Sequence, residues 1–321
     1  DKVLEARGLT LNEYLKLSNG IMKIPYTQRP YEWGKIQITR LYNDFFNAHH
    51  HKADQHILNF ITLFKEKDYI NIYDGQQRTV SSIIILCALL HKMKEIPGYD
   101  EEYRNGVERD YIVTKNYRTK DIQYKLNFED DEVNTFFREY IVAGKQDIDL
   151  SNLTEQQKTL MSNYKIVREL IEGTFPNLTD SSELEHFIDS ITQKVFVIVL
   201  ETSSEDIANQ MFETLNNTGK KIADFYVLKN QLIRSLSEEE VKSDWDEIEK
   251  NLDGISKGKF LVAYVSVFNG KTSEAGAYKA IEKNGKLKDT ISSRETLKEL
   301  KKASEAYLYL QTPLARYEHD K

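Results

Sequence analysis

The sequence predicts an α+β fold, a small sheet-containing core with a large helical portion. Three observations carry that expectation. Residues 57–64 and 69–73 are β-like, the second alternating apolar and polar positions in Tyr69-Ile70-Asn71-Ile72-Tyr73. Most of the remaining chain places apolar residues at spacings of three and four, the pattern of helices that bury one stripe. Late in the chain a continuous apolar run, Val195-Phe196-Val197-Ile198-Val199-Leu200, interrupts the helices, and its lack of alternation suits a strand buried on both faces.

Taken in order, residues 9–19 read as a short amphipathic helix through Leu11, Tyr14 and Leu15. Residues 21–25 read as extended, because Pro25 keeps Ile24 out of helical geometry. Residues 36–48 align Ile38, Leu41, Tyr42 and Phe45 on one helical stripe. Asp74-Gly75 is a turn signal that stops the second strand, and an uninterrupted apolar helix over 79–93 follows. Further helices are expected over 131–142, 155–172 and 182–192. After the late strand, Ser203-Ser204-Glu205-Asp206 opens a helix over 207–215, since serine caps and acids favour the positive end of the dipole. Asn216-Asn217-Thr218-Gly219 is expected to end that helix, with another over 222–236 and several more over 238–321. The chain thus divides into a core over 1–100, a helical insertion over 101–193, a segment over 194–236 that completes the core, and a helical C-terminal region over 237–321.

Composition removes several classes. With 14 Gly and 5 Pro among 321 residues there is little room for low-complexity linkers. The 44 Lys and Arg against 51 Asp and Glu give a net charge of −7, which argues against coating nucleic acid by charge alone while leaving local basic surface open. The one cysteine, Cys87, excludes an intrachain disulfide and any Cys-rich zinc site, and its apolar neighbours mark it as a buried thiol. No stretch approaches a membrane-spanning length and the N-terminus lacks a signal-peptide layout, so a cytoplasmic address with no membrane partner is expected. The opening at Asp1 rather than Met leaves room for a longer protein.

Three clusters carry candidate chemistry. In Tyr73-Asp74-Gly75-Gln76-Gln77-Arg78-Thr79 a strand ends, glycine lets the backbone turn close to a ligand, and a helix begins with its free amides pointing outward. Such a helix N-terminus with Gln and Arg beside it is a receptor for phosphate. Asp74 suits a ribose hydroxyl or a metal-bound water, and Arg78 suits phosphate oxygens; a plain turn with a helix cap is the bland alternative. Pro25 to Trp33 packs Gln28, Arg29, Tyr31 and Trp33 into an irregular loop suited to stacking and polar readout of a base or sugar, or to covering the core. Phe212 to Lys220, with Asn216, is by itself indistinguishable from a helix C-cap.

Together these clusters resemble the N-terminal domain of the GmrSD family of modification-dependent restriction proteins, over about residues 10–235. The resemblance rests on Ile24, Pro25, Gln28, Arg29, Tyr31 and Trp33 in one segment, and on Asp74-Gly75-Gln76-Gln77-Arg78 after a strand. Its third part is Phe212-Glu213-Thr214-Leu215-Asn216-Asn217-Thr218-Gly219 followed by Leu228-Lys229-Asn230. It implies a ParB/sulfiredoxin-like core in which the DGQQR segment binds, and in several members hydrolyses, a nucleoside triphosphate (GTP, ATP or another) with Mg²⁺. It also implies coupling to recognition and cutting of modified, foreign DNA. Carried over by position, Asp74, Gly75, Gln76, Gln77 and Arg78 form the nucleotide site, Gln28 and Arg29 lie alongside, and Asn216 approaches from the late helix. Lys229 and Asn230 match a recurring pair placed with Tyr31 and Trp33 on the substrate side.

On that reading Gln76 or Gln77 orients the attacking water, Asp74 positions Mg²⁺ through water, and Arg78 with Arg29 neutralises growing charge. Many relatives continue the motif with Leu-Thr-Thr where this chain has Thr79-Val80-Ser81-Ser82. Residues 236–321 offer only His319 toward an HNH-type nuclease motif, so DNA cleavage is not expected from this chain alone and falls to a further domain or a partner subunit. The alternative is a binding module without turnover, holding nucleotide or a modified base. His49-His50-His51 with His56 is a weak metal candidate, because consecutive histidines diverge on a helix end.

Overall fold

The structure is a computed structural model that describes residues 4–17, 21–25, 30–50, 56–253, 255–273 and 276–311; for 4–6, 56–60, 209–223 and 309–311 it describes the backbone alone. The chain divides into two compact units, Asp1–Phe212 and Glu213–Lys321.

The first unit is built on a six-stranded mixed sheet. Its strands are β1 (Leu4–Thr10), β2 (Met22–Ile24), β3 (His56–Lys65), β4 (Ile70–Asp74), β7 (Leu126–Phe128) and β8 (Val195–Thr202), in the spatial order β1-β8-β3-β4-β2-β7. A separate two-stranded ribbon joins β5 (Val113–Lys115) to β6 (Ile122–Tyr124). The late strand β8 returns to the sheet as expected, antiparallel to β1 and parallel to β3, with Val195 to Leu200 all buried. Neighbouring β4 lies antiparallel to β3 and parallel to β2.

Helices α1 (Leu11–Leu15), α2 (Lys35–His50), α3 (Gln76–Lys94), α4 (Glu101–Tyr111), α5 (Asp131–Phe136), α6 (Glu155–Thr174) and α7 (Ser182–Lys194) complete the unit. Helix α3 is buried around nearly its whole circumference, which matches its unbroken apolar sequence and makes it the axis against which α2, α4, α6 and α7 pack. The expected helix over 9–19 is shorter than its sequence pattern. Residues up to Thr10 pair with β8, and Thr10 caps α1 in a reciprocal capping box with Glu13. The helix expected over 131–142 changes to a π-helix at Phe137–Val142.

Helix α8 (Glu205–Leu236) begins under a Ser204 cap and corrects a second expectation. Its backbone stays helical through Asn216-Asn217-Thr218-Gly219, where a break was expected. Glycine and asparagine are only weakly unfavourable inside a helix, so helical residues on both sides outweigh them. The second unit continues with α9 (Glu238–Asn251), α10 (Lys257–Asn269), α11 (Ala277–Lys283) and α12 (Thr290–Gln311). Its own core gathers Phe225, Leu228, Leu232, Trp245, Ile248 and Phe260, with Phe225 and Trp245 at a ring separation of 4.7 Å.

Candidate functional site

The corner begins where β4 ends at Asp74, opposite Thr62 of β3. Gly75 follows at φ 89° and ψ 10°, a left-handed conformation that any side chain makes costly, and it forms the N-cap of α3 with no side-chain cap. Below the corner a chain of hydroxyls locks it. Thr79 donates both its amide and its Oγ1 to the Gly75 carbonyl at 3.0 Å. Because the Thr79 proton is used there, the buried Tyr14 hydroxyl donates to Thr79 Oγ1 across 2.9 Å. Burial pushes the Tyr14 phenol well above its ordinary pKa, so it remains a donor.

Gln77 ties the corner to the 30–33 loop. Its Oε1 accepts from the Glu32 and Trp33 amides at 3.0 and 3.2 Å, and its Nε2 donates to the Pro30 carbonyl at 2.9 Å. From behind, Asn163 of α6 donates to the Tyr31 hydroxyl at 2.8 Å and to the Trp33 carbonyl at 2.6 Å. The Tyr31 hydroxyl also meets Ser81 Oγ at 2.7 Å, and burial raises its pKa to about 12. Tyr31 is therefore a buried scaffold residue, while Trp33 stays half-exposed. Ser82 Oγ donates to the Arg78 carbonyl at 2.7 Å, so all three hydroxyls after the motif are engaged within the fold.

Arg78 is the main charge at the corner. Its guanidinium lies 5.5 Å from the Trp33 ring centre. Burial disfavours the cation and pulls its pKa below the ordinary arginine value, while the fields of Asp74 and of Asp44 on α2 oppose that shift. Among the described residues its guanidinium has no hydrogen-bond partner. Gln76 is buried beside it, and Asp74 is half-buried.

The structure thus brings Asp74, Gly75, Gln76, Gln77, Arg78, Tyr31 and Trp33 together. Gln28 and Arg29 lie outside the described residues, as does His51. Asn216 lies in α8, where only the backbone is described. Lys229 and Asn230 belong to the second unit. There Lys229 pairs at 3.8 Å with Glu249, which also accepts the Trp245 indole at 2.8 Å. Asn230 is buried, with its Nδ2 unpartnered among the described residues. Among the described residues no group of three or more His, Cys, Asp or Glu could hold a metal ion, and His49 Nδ1 instead meets Ser190 Oγ at 2.7 Å.

Three contributors had not been assigned to the site from the sequence: Asp44, Tyr14, read there only as a helix-face residue, and Asn163. Asn163 had a readable signal, because it shares the buried stripe of α6 with Leu160, Val167 and Ile171, where an amide needs internal partners. Asp44 and Tyr14 reach the corner only through tertiary packing.

Residues 11–233 match the family described as GmrSD restriction endonuclease, N-terminal domain, and the chain belongs to that family. Comparison with curated proteins gave no match. Among the described residues no helix is long and apolar enough to cross a membrane.

Proposed function

We propose that this chain is a nucleotide-binding, NTP-hydrolysing sensor module of a DNA restriction protein that acts on modified, foreign DNA. The observation that carries the reading is Arg78: a half-buried guanidinium, its charge disfavoured by desolvation, beside a helix N-terminus with no side-chain cap and without a hydrogen-bond partner among the described residues. A polyphosphate supplies what both features want. Its oxygens accept from the guanidinium in a planar fork and sit on the amides after Gly75.

Asp74 and Asp44 offer hard carboxylate oxygens near that position, the donor type Mg²⁺ takes together with its waters. The ion, when bound, would neutralise phosphate charge. Gln77 acts as a positioning residue that holds Trp33 beside the nucleotide, and Gln76 orients water. By resemblance, Gln28 and Arg29 act on the nucleotide, and cutting belongs to a separate nuclease domain. Nucleotide occupancy would then bias how the protein engages DNA.

Phosphate release from each common triphosphate with Mg²⁺, by the wild type and by Arg78→Ala, tests the reading. Turnover that falls at least tenfold in the variant supports it; no release with any nucleotide removes the hydrolytic claim. Binding without turnover is the second reading. It is favoured by the engagement of Gln77, Thr79, Ser81 and Ser82 within the fold, which leaves few groups to activate water. Nucleotide affinity without phosphate release selects it.

A further inference from the structure

The β5–β6 ribbon carries a second surface, distant in sequence from the corner. Its strands pair Val113 with Tyr124, Thr114 with Gln123 and Lys115 with Ile122. The connection is a preorganised loop. Asn116 Oδ1 accepts the amides of Arg118 and Thr119 at 2.9 and 3.1 Å, its carbonyl accepts from Lys120, and its own amide donates to Asp121. Lys120 completes the turn at φ 65°, in the left-handed region.

Every residue from 115 to 123 is exposed. Tyr117 is 75% exposed and Ile122 55%, so the tip presents an aromatic ring and an aliphatic side chain to solvent. The Arg118 guanidinium lies 5.6 Å from the Tyr117 ring centre and donates from Nε to its hydroxyl at 3.2 Å, which ties the cation to the ring. Within residues 115–121, Lys115, Arg118 and Lys120 stand against one acid, Asp121, in a chain whose net charge is −7. Basic side chains around a rigid, exposed aromatic match a polyanion that also offers flat apolar faces.

We propose that this ribbon is a finger for double-stranded DNA, with Lys115, Arg118 and Lys120 on phosphates and Tyr117 packed against a sugar or base. A two-stranded ribbon fits a DNA groove. The inference shares its partner, DNA, with the proposed function and none of its residues.

The test is titration of the full chain with an unmodified 30-base-pair duplex at several salt concentrations, with and without nucleotide. Unmodified DNA suffices because the phosphate contribution is independent of sequence. The triple variant Lys115→Ala, Arg118→Ala, Lys120→Ala is expected to bind at least tenfold more weakly, with the slope of log affinity against log salt reduced by about 2–3. Tyr117→Ala is expected to bind about tenfold more weakly with its slope unchanged. A control triple at exposed lysines of the second unit, Lys242→Ala, Lys250→Ala, Lys298→Ala, is expected to keep wild-type behaviour. Equal losses in the control, finger variants within twofold of wild type, or no duplex binding by the wild type would each overturn the proposal. Nucleotide affinity measured on the same variants separates this outcome from failure of the nucleotide site.

Discussion

Replacing Gln77 with alanine removes three hydrogen bonds, to the Glu32 and Trp33 amides and the Pro30 carbonyl. A neutral internal hydrogen bond contributes about 1 kcal/mol net. Glu32 is exposed and Trp33 half-exposed, so the freed groups regain water and the loss is about 1–2 kcal/mol in the stability of this loop. Hydrogen exchange at the two amides reads that quantity locally, without assuming that the whole chain unfolds in one step. Exchange at Glu32 and Trp33 is expected to quicken by about 5–30-fold, the factor that corresponds to 1–2 kcal/mol. Gln77→Glu keeps two acceptor bonds and loses the donor to Pro30, so its exchange should fall between wild type and alanine. Unchanged exchange at both amides in Gln77→Ala would show that the loop is held by something else, and the assignment of Gln77 as a positioning residue would fail.

Two further expectations concern the far end of α3. At Gly144, which sits at φ 71°, an added Cβ would lie 2.8 Å from His91 Cε1, so Gly144→Ala should cost about 2–3 kcal/mol and lower the melting temperature by about 5–10 °C. An unaltered melting curve would contradict that packing. His91 accepts from the Tyr164 hydroxyl at Nδ1 and donates from Nε2 to the Val142 carbonyl, at 2.7 and 2.9 Å. Burial, with Arg104, Arg168 and Lys94 nearby, holds its pKa below the ordinary 6.5 against the opposing Val142 bond. The unfolded chain therefore binds the proton first. The stability that His91 contributes is complete above pH 6.5 and is lost as pH falls toward the lower folded value. Urea midpoints of wild type and His91→Gln between pH 7.5 and 5 should converge on acidification, and a constant gap would refute this.

How much of this was legible depended on local pattern. The β4–α3 corner could be read because strand alternation, Asp74-Gly75 and an apolar run follow one another within a few residues. Strand β8 could be read because Val195 to Leu200 are apolar without a gap. Strands β2, β5, β6 and β7 have three residues each, too few for alternation to register beyond the Pro25 constraint at β2. Strand β1 is an edge strand joined to β8 by backbone pairing, and its alternation, Leu4-Glu5-Ala6-Arg7, lasts only four residues before Gly8 and Leu9 break it. Within the site, Asp74 to Arg78 could be named from sequence. The division of labour among them, with Gln77 holding the loop and Arg78 in the field of Asp44, depends on distances between segments far apart in the chain.

The most direct test of the nucleotide corner is calorimetric titration of the full chain with a non-hydrolysable triphosphate and Mg²⁺, comparing wild type with Arg78→Ala and Arg78→Lys. A charge-assisted hydrogen bond is worth about 1.5–3 kcal/mol, so alanine should weaken binding by about 10–100-fold, and lysine by less because it keeps the charge without the fork. Wild-type affinity retained by a folded Arg78→Ala protein would contradict the account.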